Sequence, residues 1–144
     1  MGRTIRGELP VRFRYTPGVG NTAFFNALRD RAVFQGSRCG SCGVTFVPAR
    51  IFCERCLSAL EPDTECGPEG ELASWTLGHV GIDGGPLDQA AAIGLVRLDG
   101  ADTVLMHRLL GDGPWRIGQR VSAVLRTPGE RVASILDVEG FRPA

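Results

Sequence analysis

RCGSCGVTFVPARIFCERC, residues 38–56, holds two Cys-x-x-Cys pairs ten residues apart, in a chain whose one other cysteine is Cys66. Each pair offers two thiolates from one tight turn, and four thiolates at about 2.3 Å complete a tetrahedral shell around zinc. Cys39, Cys42, Cys53 and Cys56 are therefore the expected ligands of a structural zinc ion. Gly40 and Gly43 suit the first knuckle, and VTFVPAR reads as a short strand and turn that returns the chain to the second. Rubredoxin-like iron and paired disulfides are the competing readings, and a reducing cytoplasm disfavours the disulfides. A catalytic zinc keeps a position open for water, whereas four thiolates fill the shell. The stretch is expected to build rather than to react. Its net charge of −2 needs an offset, for which Arg38, Arg50 and Arg55 lie close in sequence. Structural zinc is worth roughly 10–16 kcal/mol in small peptides, so loss of one ligand should unfold the module. Cys66, in ECGPEG, reads as a loop cysteine without a special role, its neighbours Glu65 and Glu69 favouring the thiol over the thiolate.

The chain of 144 residues suits one domain or two small modules packed as one. No apolar run approaches the roughly 20 residues that span a bilayer, and the start lacks a signal-peptide core, so no membrane partner and a cytoplasmic location are expected. Formal net charge is zero but unevenly spread, with nine Arg against three acids in residues 1–56 and one Arg against nine acids in 57–102. That polarity suits docking on a partner or an anionic ligand, and equally two solvated faces of opposite sign. All sixteen basic residues are Arg, so the number of Arg is no sign of phosphate binding by itself.

Three segments are expected: an arm and amphipathic helix over 1–36, a zinc ribbon over 37–69 and a β-barrel over 70–144. The arm is rich in Gly and Pro and carries Arg3, Arg6, Arg12 and Arg14. The spacing of Phe24, Phe25, Leu28 and Ala32 predicts a helix over 23–35, capped by Asn21 or Thr22 and stopped at Gly36. Phe24, Phe25 and Leu28 could pack on this protein's own core or on another subunit. Beyond the ribbon, 71–80, 91–98, 103–110, 120–126 and 131–138 each read as strands. TPGE, before the last of them, reads as a type II turn with Gly129 at positive φ. Five short strands with hairpin links favour an OB-like barrel, because closure removes exposed edges; an open sandwich is the alternative.

No nucleophile elbow, Walker loop or dinucleotide fingerprint occurs. His79 and His107 both fall in expected strands, where packing is the commoner role, although His107 lies near the mouth of a barrel. Asp83 and Asp88 could pair with a histidine, but Asp beside Gly is first a turn former. Trp75 and Trp115 are the only Phe, Trp or Tyr residues in 71–138, which is thin support for a single-strand nucleic-acid binder.

The order of features, FFNALRD, then the cysteine block, GELASWT, LDGADTVLMHRL, WRIGQRV and a terminal FRPA, resembles the family of small zinc-ribbon plus OB-fold proteins associated with acyl-CoA enzymes. The resemblance spans about residues 13–143. It implies a mainly β protein with an N-terminal helix, a rubredoxin-like four-cysteine zinc ribbon and a five-stranded OB-fold barrel. It also implies a non-catalytic accessory subunit of a thiolase-like enzyme, whether thiolase, acyltransferase or retro-aldolase, in lipid or steroid side-chain metabolism. Lipid-transfer-type thiolases and MaoC-type hydratases are the implied partners, with acyl-CoA near the interface. Arg12, Arg14 and His107 are then candidates to contact acyl-CoA or an acidic partner, and Phe24, Phe25 and Leu28 to form the partner interface. Ala49 stands where many members have a second proline. A freestanding nucleic-acid binder and an independent histidine enzyme are the rival functions.

Overall fold

The computed structural model describes residues 7, 11–81 and 83–144. Arg3 and Arg6 of the arm lie outside the described residues, while 11–17 run without regular structure and are exposed. Helix α1 spans Gly18–Arg31, with Pro17 at its N-cap and Arg29 and Arg31 in its last turn, where cations suit the carbonyl end of the helix dipole. It begins five residues before the expected start and stops four before the expected end. Asn21 and Thr22 lie inside it, and Ala32, in the left-handed region at φ 59°, ends it by donating to the Leu28 carbonyl at 3.2 Å. Gly36 is no helix stop. It belongs to a strand, and a Cβ there would sit 2.6 Å from the Phe46 carbonyl oxygen. Pairing of Phe34, Gln35 and Gly36 with Cys66, Glu65 and Thr64 takes this segment out of the helix.

Strand β1 (Phe34–Arg38) runs between β2 (Thr45–Phe46) and β3 (Thr64–Cys66) in a small antiparallel sheet. It crosses the expected boundary between residues 36 and 37. The larger sheet contains β4 (Glu69–Val80), β5 (Pro86–Leu98), β6 (Leu105–Arg108), β7 (Arg120–Leu125) and β8 (Val138–Pro143), in the order β6-β5-β4-β7-β8. A parallel bridge between Leu109 and Phe141, with the Leu110 amide donating to the Phe141 carbonyl at 2.7 Å, closes the ends of that sheet into an OB barrel.

The last strand differs from its expected place. RVASILDV forms a loop with a 3-10 turn at Ile135–Asp137, and strand pairing is displaced to Val138–Pro143. The cause is Asp137, fully buried, whose carboxylate accepts from the Val132 amide at 2.9 Å and the Ser134 amide at 3.2 Å. An Asp in this role stabilises turns because it offers the backbone a partner other than a strand. TPGE likewise makes a 3-10 turn, Pro128–Glu130, boxed by the Thr127 hydroxyl donating to Glu130 at 2.7 Å, and Gly129 does not take positive φ.

Helix, ribbon and barrel share one core. Phe24 and Leu28 from α1 are fully buried with Phe34, Leu72, Val96, Val121 and Phe141. Phe34 bridges the three parts, its ring centroid 6.2 Å from Phe24 and 6.3 Å from Phe141. Each such side chain contributes about 1.5–3 kcal/mol through burial. The loop after β5 adds polar links to the ribbon: Asp102 accepts from the Thr45 amide at 2.8 Å, and Thr103 Oγ1 from the Val47 amide at 2.9 Å.

Candidate functional site

The two knuckles are built alike. The Gly43 amide donates to the Cys39 carbonyl and the Leu57 amide to the Cys53 carbonyl, at 2.8 and 2.9 Å. The Cys39 amide donates to Val44 and the Cys53 amide to Ser58, again at 2.8 and 2.9 Å. Both turns require positive φ at the residue after the second cysteine. Gly43 supplies it at 76° without cost, whereas Leu57 takes it at 60° despite its Cβ. Gly40, by contrast, has an ordinary φ and open space where a Cβ would point. The knuckles bring the four Sγ atoms within 4.8 Å of one another, with Cys39 to Cys56 at 3.4 Å and Cys42 to Cys53 at 3.5 Å. A tetrahedral ion at about 2.3 Å separates its sulfurs by about 3.8 Å, so the four residues fit zinc with little movement.

Cys39 and Cys53 are buried, Cys42 is half-buried and Cys56 is exposed. The Ser58 hydroxyl, 3.3 Å from Cys56 Sγ, together with the Ser58 amide, holds the Cys56 thiol down at about 6. This ligand enters the shell readily as a thiolate. Of the nearby arginines, Arg50 pairs with Glu54 and lies 4.9 Å over the Phe46 ring, and Arg38 donates to Thr45 Oγ1 at 3.1 Å. Among the described residues neither guanidinium is hydrogen-bonded to a cysteine sulfur.

Cys66 is not a loop residue. It sits in β3, buried in the main core, and burial first, then the Asp102 charge, pushes its thiol up. Phe24 and Leu28 have no exposed surface, so they cannot form a partner interface; they are consumed by this chain's own core. Phe25 is half-buried, stacked edge-on against Phe24 at 5.4 Å. Arg12 and Arg14 are exposed in the extended segment before α1.

Trp75, Gly94 and His107 are aligned across β4, β5 and β6. The inner face of the barrel continues past its mouth along this row and forms one wall of an open groove of about 1280 Å³, with Ile135 and Leu136 on the other side. His107 lines this groove half-buried, its ring 6.2 Å from Phe141 and its Nδ1 buried without a hydrogen-bond partner. Burial holds its imidazole below the ordinary range, with Arg108 adding a smaller push the same way and backbone contacts opposing. Among the described residues no hydrogen bond joins either histidine to an acid. Asp83 instead accepts from the Gly85 amide at 3.1 Å in the β4–β5 turn, while His79 and Asp88 are exposed. Trp115 is buried, which leaves Trp75 as the single barrel tryptophan open to solvent. No helix among the described residues is long and apolar enough to cross a membrane.

A closed four-cysteine centre packed against an OB barrel defines a zinc-ribbon and OB-fold protein. The family description "ChsH2, rubredoxin-like zinc ribbon domain" matches residues 29–61, and "ChsH2, C-terminal OB-fold domain" matches residues 63–126. A crystal structure of a DUF35-family protein of unknown function from Sulfolobus solfataricus is 30% identical, over 70% of this chain and 74% of that one, with a TM-score of 0.59. The chain therefore belongs to the ChsH2 (DUF35) family. A chain from a structure described as an Ltp2-ChsH2(DUF35) aldolase shares the fold at 23% identity, over 90% of this chain and 98% of that one, with a TM-score of 0.63. No curated protein matches the sequence significantly.

Proposed function

We propose that this protein is a non-catalytic accessory subunit that binds and stabilises a thiolase-like enzyme acting on acyl-CoA. The observation that carries the reading is the likeness, over nearly its whole length, to a ChsH2(DUF35) chain described together with Ltp2 as an aldolase. The chemistry of the chain agrees. Its metal centre has four thiolates and no position for water or substrate, and among the described residues its one half-buried histidine makes no side-chain hydrogen bond to an acid. In this reading the partner carries the reacting groups, as a thiolase, acyltransferase or retro-aldolase, and steroid or lipid acyl-CoA is its substrate class. Arg12 and Arg14, exposed on the arm, are the candidates to meet CoA phosphates or an acidic partner face. His107, in the groove, is the candidate contact for the acyl part.

The test is co-expression with a thiolase-like enzyme of the Ltp2 kind, followed by size-exclusion chromatography with mass measurement. The expected outcome is a stable complex in which the enzyme turns over acyl-CoA and the isolated chain does not. Turnover of a thioester by the isolated zinc-loaded chain would overturn the assignment.

A further inference from the structure

The β4–β5 hairpin outruns the barrel that it helps to form. β7 pairs with β4 only over Glu69–Glu71, and β6 pairs with β5 only over Ile93–Val96. From Leu77 to Val80, and back from Pro86 to Ala92, the hairpin has no third strand paired beside it, and its own pairing skips from Gly78–Ala91 to Val80–Pro86. Four residues of strand extend about 13 Å, and an isolated two-stranded ribbon is marginally stable in water. The extension and the row at its root carry exposed apolar side chains, with Trp75 37%, Leu77 46%, Val80 62% and Leu87 39% accessible.

Soluble proteins guard such edges with Lys, Pro or bulges. Here Ala73–Val96 contains no Lys or Arg, and the guards are Pro86 and two bulges, at Leu72/Ser74 and Gly78/Val80. Its only formal charges are Asp83 and Asp88, near the tip. Two copies of the hairpin meeting each other would supply no Lys or Arg to these acids, so its charge fits a basic face rather than a second hairpin.

We infer that the projecting hairpin, with the groove at its root, is the docking element for the thiolase-like enzyme, and that the enzyme's contact face is apolar with a cation opposite Asp83 and Asp88. This rests on the accessory-subunit reading above and adds the surface and the partner chemistry. Trp75 and Leu77 enter the contact as anchors, because they extend the barrel's inner face outward and their backbone is paired with β5. The tip acids set the encounter and its salt dependence.

The experiment measures binding of the full-length, zinc-loaded chain to the co-expressed thiolase-like enzyme by calorimetry at two salt concentrations. Leu77→Glu should weaken binding by about tenfold or more, and Asp83→Arg combined with Asp88→Arg by several-fold with a flattened salt response. Val19→Glu, at a residue 66% exposed on α1, should leave binding unchanged. Zinc content and melting temperature of each variant are compared with the parent, and if Leu77→Glu does not fold, the tip pair decides. Failure of the parent chain to bind the enzyme removes the accessory reading itself. Parent-level binding by both hairpin variants removes only the docking assignment. A homodimer of the isolated chain that Leu77→Glu dissolves would give the hairpin to a second copy and overturn the inference.

Discussion

The ribbon has a small cluster of its own, Cys39, Phe46, Cys53 and Leu60, and two of these four are metal ligands. The barrel instead buries a continuous set from Leu72, Val96 and Leu98 through Leu105 and Val121 to Val138 and Phe141. One region is ordered by a coordination shell and the other by apolar area removed from water. The two remain coupled, since Phe34 and Val47 of the ribbon lie in the barrel's core and Asp102 and Thr103 hold β2. The difference teaches that a coordination shell can substitute for apolar area where a segment is too short to enclose a core, and that the substitute is local.

Removing the metal tests that division most severely. Chelation, or Cys53→Ser, should take roughly 10 kcal/mol of apparent stability from the ribbon. Hydrogen exchange should then show amides of 39–60 opening while those of Leu72, Val96 and Leu98 stay protected. Equal loss in both regions would mean a single cooperative unit and break the comparison. Phe141→Ala strikes the junction itself and should cost about 3–5 kcal/mol in denaturant unfolding, because its ring faces both Phe34 and His107. Urea melts of this variant should separate into two transitions if the Phe34 contact is what couples the regions.

A pH series sharpens the barrel side. Burial holds His107 below its ordinary value in the folded chain. As pH falls through the usual imidazole range, about 6.5, the unfolded chain binds the proton first, so stability decreases on acidification. His107→Gln should flatten that part of the profile, and an unchanged slope would remove the buried-imidazole account. The smallest effect lies within the ribbon. Leu57→Gly relieves a left-handed leucine and should stabilise the zinc-bound form by about 1 kcal/mol, read from the denaturation midpoint, while Gly43→Leu should shift it the other way.

The ribbon was the legible part of the sequence. Its four ligands follow from spacing alone, because thiolate geometry and a two-residue gap admit few other arrangements. The barrel strands around Leu72, Val96 and Val121 were also legible, as apolar runs between turn residues. The strand expected at 131–138 failed because apolar alternation carries no information about Asp137, whose buried carboxylate gathers the Val132 and Ser134 amides into a turn. The helix limits failed for a related reason. Gly36 resembles a stop signal, yet it was set by close approach to Phe46, a contact 10 positions away. Cys66 looked like a loop cysteine because its partner strand, β1, lies far upstream, on the other side of the cysteine block.

By itself the sequence determined the metal shell, the mainly β class and the order helix, ribbon, barrel, since each depends on residue types at short fixed separations. The tertiary structure decided which apolar side chains are spent on the chain's own core and which remain outside. Phe24 and Leu28 went inward while Trp75 and Leu77 stayed open, although all four are simply apolar in sequence. Burial is settled by what packs across from a residue, and strand registers that end at Glu71 and Ile93 leave the tip of one hairpin without a third strand beside it.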